Sequence, residues 1–116
     1  MSKVNWQSLT DTAQLETLKQ QSFEQPVVIF KHSTSCPISA MALNLLEQDW
    51  NAEKESGTAI FFLDLLKYRP VSNAVAEQFG VVHQSPQIIV LKDGKAVYDE
   101  SHMGIRYDQI QSVVHA

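Results

Sequence analysis

The chain alternates between short apolar runs and longer segments in which apolar residues recur with helical spacing. Residues 26–30, 58–64 and 87–92 are rich in β-branched and aromatic side chains, and each run is short enough to be a buried strand. An Asp-Gly dipeptide joins the third run to residues 95–98, which is a strong signal for a β-hairpin. The pattern therefore predicts four strands.

Helical signals fill the segments between these strands. Asp11 is followed three residues later by Gln14, which resembles a capping pair at a helix start. Pro37 suits a first helical position because its missing N–H would be unpaired there anyway. Gly80 is typical of the residue just after a helix. Helices are predicted over residues 11–22, from about Cys36 to residue 51, over 70–79 and over 107–115.

The resulting order of elements is α-β-α-β-α-β-β-α. Two buried strands joined by a helix form a βαβ unit, which requires parallel pairing and a right-handed crossover. With 116 residues, of which 44% are hydrophobic, the chain suits one domain with one core. We therefore predict a single α/β domain over residues 1–116, with a mixed four-stranded sheet and helices on both faces.

Charge and hydropathy narrow the range of partners. A formal net charge of -4 argues against a nucleic acid or an anionic membrane as a partner, because binding phosphates requires a basic surface. The sequence has no run approaching the roughly 20 apolar residues that span a bilayer. Residues 1–6 have no apolar core of signal-peptide length, so we predict a cytoplasmic protein.

The single cysteine, Cys36, excludes an internal disulfide and a cysteine-only metal site. It falls where a strand passes into a helix, and the free N–H groups and dipole of a helix N-terminus favour the reactive thiolate. Pro37 stiffens this turn without using a donor, and the Ser39 hydroxyl is expected to donate a hydrogen bond to the thiolate. An inert cysteine would more often lie within a strand or mid-helix, so we predict that Cys36 is a nucleophile.

Cationic and imidazole side chains near Cys36 are further candidates for site residues or metal ligands. Lys31 and His32 directly precede the active turn and are expected to assist the thiolate or its substrate electrostatically. His83 and His102, taken together with Cys36, would form a plausible zinc or iron site. These histidines lack the spacing of a metal motif, and no metal is predicted.

The run from Lys31 to Ser39, KHSTSCPIS, resembles a thioredoxin-type Cys-x-x-Cys motif whose second cysteine has become Ser39. Within that superfamily it is most similar to the monothiol bacilliredoxin family, which has a Thr-Cys-Pro-Ile-Ser type motif after a Lys-His-Ser segment. Ser35 stands where that family has threonine. The resemblance extends over roughly residues 8–115. It includes Phe62-Leu63-Asp64, Phe79-Gly80-Val81, Ser85-Pro86-Gln87 and Lys92-Asp93-Gly94-Lys95 in the order found in thioredoxins.

The resemblance implies a thioredoxin-like fold and a substrate site. It implies that Pro86 is cis and faces the active cysteine, and that the Ser85 backbone offers hydrogen bonds to the incoming thiol substrate. Gly104 would border the same site. Thioredoxins bury an acidic residue where this chain has Phe30, and that acid assists the second cysteine, which is absent here. The predicted substrate-binding residues are Lys31, His32, Ser35, Ser85, Pro86 and Gly104, beside the predicted catalytic residues Cys36, Pro37 and Ser39.

The family resemblance also implies a reaction, the removal of bacillithiol from protein mixed disulfides. Bacillithiol would be a co-substrate, and no cofactor would be bound. Cys36 would attack the thiol-derived sulfur and carry the small thiol. Another low-molecular-weight thiol or a dithiol reductase would then release it.

Three other functions remain open from sequence. The mixed disulfides could contain glutathione or coenzyme A instead of bacillithiol. Cys36 could be the modified residue of a redox sensor or binding module that does not turn over. An iron–sulfur carrier like the monothiol glutaredoxins is a third alternative, although the Cys-Gly-Phe-Ser motif of those proteins is absent.

Overall fold

The computed structural model of the protein describes residues 4–116. Residues 1–3, which belong to the predicted domain and to the segment considered for a leader, lie outside the described residues. Within residues 4–116, five strands form one sheet in the order β1-β3-β2-β4-β5. The elements are β1 (Gln7–Ser8), α1 (Gln14–Gln21), β2 (Val27–His32), α2 (Pro37–Asp49), β3 (Ala59–Asp64), α3 (Arg69–Phe79), β4 (Gln87–Lys92), β5 (Lys95–Ser101), a 3-10 turn (His102–Gly104) and α4 (Tyr107–Val114).

The strand pairing follows the predicted mixed pattern. β2 and β3 are parallel, with Ile29 opposite Phe61, as the βαβ unit requires. β4 lies antiparallel to β2 on its other side, and β5 returns antiparallel to β4 through the Asp93-Gly94 turn. Gly94 takes a positive φ of 80°, which suits glycine in a tight hairpin turn.

The prediction of four strands was wrong by one strand. β1 is only two residues long and pairs in parallel with Phe61 and Phe62 of β3. Both of its residues, Gln7 and Ser8, are exposed. A strand this short and polar has no apolar alternation, so only its hydrogen bonds to β3 define it.

The helices lie close to their predicted positions. α2 begins at Pro37 with Cys36 as its N-cap residue, and α3 ends at Phe79, followed by Gly80 in the left-handed conformation with φ 65°. α1 is shorter than predicted because residues 11–13 form a turn, in which the Gln14 side chain accepts the Asp11 backbone N–H at 3.0 Å. No helix within residues 4–116 is both long enough and apolar enough to cross a membrane.

Helices cover both faces of the sheet, and β2 divides the core between them. Val27 and Ile29 belong to the cluster that includes residues of α1 and α3, whereas Val28 and Phe30 belong to the cluster that includes residues of α2 and α4. All four side chains are fully buried. Because side chains alternate along a strand, the next two residues, Lys31 and His32, are directed to opposite faces of the sheet.

Candidate active site

Cys36 lies at the junction between β2 and α2 and is partly exposed to solvent. Its backbone is extended, with φ -108° and ψ 114°, and its N–H donates to the Ser33 carbonyl at 3.2 Å. Pro37 occupies the first turn of α2. Cys36 therefore lies at the N-terminus of a thirteen-residue helix, as predicted from the sequence, beside the helix's free N–H groups and the positive end of its dipole.

Ser39 is fully buried beneath this turn. Its Oγ accepts the Ser33 backbone N–H at 3.0 Å and lies 2.7 Å from Nδ1 of His32. No hydrogen bond within residues 4–116 joins the hydroxyl to the sulfur of Cys36, so the structure differs here from the predicted contact with the thiolate. Ser39 instead holds Ser33, whose carbonyl accepts the Cys36 N–H, and so it supports the turn that carries Cys36.

The partner of Ser39, His32, is the last residue of β2 and not a loop residue. Its ring is buried on the α2 side of the sheet, with centroids 5.4 Å from Phe62 and 6.3 Å from Phe30. Burial lowers the pKa of His32, and the charges of Asp64 and Glu47 partly oppose this effect. Burial favours the neutral imidazole. A neutral ring can form the hydrogen bond between Nδ1 and the Ser39 hydroxyl, so this bond supports the turn without placing a charge in the core.

Replacing Ser39 by alanine is expected to lower the free energy of unfolding by about 2 kcal/mol, because it leaves the buried Ser33 N–H and the His32 ring nitrogen without their partner. Urea unfolding at pH 7 measures this loss. Ser112→Ala, at an exposed position on α4, is the matched control and should change stability by less than about 0.5 kcal/mol. Equal stability of the two variants would show that the Ser39 hydrogen bonds make no net contribution to the free energy of unfolding.

Lys31 is directed away from this turn, to the α3 side of the sheet. Its side chain is fully buried, and its Nζ lies 3.2 Å from the Ser72 carbonyl of α3 and 3.3 Å from Nδ1 of His83. Burial lowers the pKa of Lys31 from 10.5 to about 8. This position corrects the expectation that the Lys31 side chain borders the substrate, because a fully buried ammonium cannot reach a ligand at the surface.

The segment before β4 reaches the same edge of the sheet as Cys36. Lys31 of β2 pairs with Gln87 of β4, so the chain after β2 and the chain before β4 leave the sheet together. The peptide bond between Ser85 and Pro86 is cis, as the family resemblance implies. Pro86 is buried, and the Ser85 Oγ is a buried polar atom without a hydrogen-bond partner among the described residues.

The 3-10 turn completes this edge. The His102 N–H donates to the Pro86 carbonyl at 3.1 Å, and the turn packs against α2. Gly104 therefore lies beside the cis-proline segment, and a Cβ on it would come within 2.6 Å of the Glu100 carboxyl carbon. Ser35 is exposed, with its hydroxyl 3.2 Å from that of Ser33. The structure thus gathers Ser35, Cys36, Ser85, Pro86 and Gly104 at one edge, with His32 buried below and Lys31 on the opposite face.

The structure does not bring Cys36, His83 and His102 together as ligands. Within residues 4–116, no group of three or more histidine, cysteine, aspartate and glutamate side chains is placed to hold a metal ion. His83 instead contacts Lys31.

One feature of this region was missed by the sequence analysis, an apolar strip of exposed side chains. Ile38, Met41 and Leu45 lie on one side of α2 with 45%, 53% and 44% exposure, and Met103 of the 3-10 turn is 55% exposed. Leu45 and Met103 line a cavity of about 410 Å³ between α2 and the turn. The signal was present in the sequence, because Ile38, Met41, Ala42, Leu45 and Leu46 cover a wider arc of the helix than one buried face requires.

The fold and this junction define a class of protein, a monothiol redox protein of thioredoxin-like fold. Solved structures support the fold. One described as having a thioredoxin fold matches with a TM-score of 0.78 and 24% identity over 94% of this chain and 92% of the other. The thioredoxin of Malassezia sympodialis matches with a TM-score of 0.72 and 15% identity, covering 99% and 92% of the two chains. For Fasciola hepatica thioredoxin the TM-score is 0.69 at 18% identity, covering 94% and 96%.

The family model for the monothiol bacilliredoxin BrxC matches residues 7–110. The chain belongs to this family, as predicted from the run Lys31 to Ser39. Membership and fold together support thiol–disulfide oxidoreductase activity.

Proposed function

We propose that the protein removes bacillithiol from mixed disulfides of cytoplasmic client proteins, with Cys36 as the nucleophile. The observation that carries the proposal is the position of the single cysteine. It is partly exposed at the N-terminus of α2, on the edge of the sheet that also carries the cis Ser85-Pro86 bond. A lone thiol in this position can accept a small thiol but cannot resolve the resulting disulfide internally.

The proposed exchange conserves electrons. The Cys36 thiolate attacks the bacillithiol sulfur of the mixed disulfide, a new disulfide forms between Cys36 and bacillithiol, and the client leaves as a thiolate. No bound cofactor or external oxidant takes part in this step. A second low-molecular-weight thiol or a dithiol reductase then attacks the new disulfide and regenerates Cys36.

The residues at this edge of the sheet are proposed to bind the mixed disulfide. The backbone of Ser85, next to the cis bond, is proposed to pair with the mixed disulfide. Pro86, Ser35 and Gly104 border the same position. The apolar strip, formed by Ile38, Met41, Leu45 and Met103, gives the client polypeptide a surface on which to bury apolar side chains beside Cys36.

Transfer between a client and Cys36 tests this proposal directly. The reduced protein is mixed with one model protein carrying either a bacillithiol or a glutathione mixed disulfide, and intact mass is followed with time. Faster appearance of the bacillithiol mass on Cys36 is the expected result, because the proposed site selects that thiol. Equal rates would remove the selectivity for bacillithiol. No transfer of either thiol to an accessible Cys36 would refute the oxidoreductase and favour a redox sensor.

A further inference from the structure

The Lys31 ammonium is an unusual group to find in this core. Its side chain has no measurable exposure, and within residues 4–116 no carboxylate forms an ion pair with it. A buried cation without a counter-ion is costly, and a methionine of similar volume would fill the same space without that cost. What the ammonium supplies, and methionine would not, is a set of directed N–H donors.

Those donors meet two acceptors, the Ser72 carbonyl at 3.2 Å and Nδ1 of His83 at 3.3 Å. A charged lysine can only donate, so Nδ1 of His83 must be the acceptor, and the ring proton lies on Nε2. The Ser72 hydroxyl also lies 3.4 Å from this nitrogen. His83 is thereby fastened to both β2 and α3.

His83 belongs to the irregular segment 81–86, which joins α3 to β4 and ends in the cis Ser85-Pro86 bond. The Gln87 side chain holds the same segment, donating to the Val82 carbonyl at 3.0 Å and accepting the Gln84 N–H at 3.4 Å. Gln87 is the cross-strand partner of Lys31, and directly opposite side chains lie on the same face of a sheet. Two neighbouring polar side chains therefore hold three successive residues just before Ser85.

We propose that Lys31 is a positioning residue, which holds His83 and so fixes the segment that presents Ser85 and Pro86 to the mixed disulfide. The substrate in this proposal is that of the proposed function. The claim that Lys31 holds His83 and the segment before β4 does not depend on it. This role explains why a strand position beneath α3 carries an amine. Lys31 then affects the alignment of the substrate and not the reactivity of the Cys36 sulfur.

Two rates separate these effects. Transfer of a small thiol from a mixed disulfide requires the aligned segment, whereas alkylation of Cys36 by iodoacetamide depends on the thiolate and its exposure. Lys31→Met and His83→Ala are each expected to slow transfer about tenfold, the size of one lost charge-assisted hydrogen bond, and to leave alkylation at pH 7 unchanged. The double variant should lose little more than either single one, because the two residues act through one contact.

Lys92→Met is the matched control, since Lys92 also donates to backbone carbonyls, those of Val113 and Ala116, but at the other end of β4. It should transfer at the wild-type rate. Wild-type transfer rates in folded Lys31→Met and His83→Ala would overturn the proposal. A parallel loss of alkylation would also overturn it, because Lys31 would then act on the thiol. His83 is exposed, so its variant provides the test even if Lys31→Met folds poorly.

Amide hydrogen exchange distinguishes this proposal from the function on which it rests. Exchange within residues 81–86 is expected to accelerate in Lys31→Met and His83→Ala and to stay unchanged in Lys92→Met. A wild-type protein that transfers no thiol would refute the proposed function, while faster exchange would still show that Lys31 holds the segment. Unchanged exchange would refute that role whatever the transfer rates are.

Discussion

Replacing Cys36 by serine is expected to abolish transfer of the small thiol, slowing it by more than about 10⁴-fold, because a serine hydroxyl at neutral pH cannot replace a thiolate as nucleophile. Cys36 is the only cysteine of the chain, so no neighbouring thiol can substitute for it. The fold should be unaffected, since the side chain is partly exposed and makes no disulfide. The measurement is the intact-mass transfer assay with the bacillithiol mixed disulfide.

Two details make this experiment decisive. Ser112→Ala, on the exposed side of α4, should transfer at the wild-type rate and controls for handling and folding. The mass of the adduct on wild-type Cys36 identifies the sulfur that was attacked, because attack on the client sulfur would leave a protein–protein disulfide. Transfer by Cys36→Ser at more than background would show that another group is the nucleophile.

Replacing Lys31 by methionine is expected to stabilise the protein while impairing transfer. The pKa of Lys31 is lowered from 10.5 to about 8 by burial. As the pH falls from 10.5 to 8, the unfolded chain therefore binds a proton before the folded protein does, and the free energy of unfolding decreases. Below pH 8 the full cost of the buried charge is present, and the pKa change corresponds to about 3 kcal/mol.

Lys31→Met removes this cost, so its free energy of unfolding at pH 7 should exceed that of the wild type by up to about 3 kcal/mol. The difference between the two proteins should shrink as the pH rises from 8 to 10.5. Tyrosines also affect stability in this range, since burial raises the pKa of Tyr98 and raises that of Tyr107 to about 12. Their effect is common to both proteins and cancels in the difference.

Urea unfolding of the two proteins at pH 7, 9 and 10.5 measures the effect. Lys92→Met should show no comparable increase in the free energy of unfolding at pH 7, and its difference from the wild type should not vary with pH. A less stable Lys31→Met at pH 7 would mean that the hydrogen bonds to Ser72 and His83 outweigh the cost of burying the charge. A gain that does not vary with pH would show that deprotonation of Lys31 is not its source.

Local sequence patterns determined most of the architecture. The apolar runs of β2, β3 and β4 are too short and too β-branched for helices, and the Asp93-Gly94 turn requires a hairpin, so the mixed sheet follows from them. The position of Cys36 at a helix start also follows from local chemistry, because Pro37 is suited to begin a helix and not to continue one. The run from Lys31 to Ser39 then indicated the family.

The tertiary structure decided the features that depend on contacts between distant residues. β1 exists only through its hydrogen bonds to Phe61 and Phe62, since two exposed polar residues carry no pattern of their own. The Ser39 hydroxyl contacts His32 and not the sulfur of Cys36. The reason is that β2 extends two residues beyond its apolar run and places the His32 ring beneath α2. Lys31, a residue type usually found at the surface, became buried because α3 covers that face of β2 and supplies the Ser72 carbonyl. Sequence therefore determined which residues begin and end the elements that carry Cys36, and the packing of helices on the sheet determined which polar side chains hold it in place.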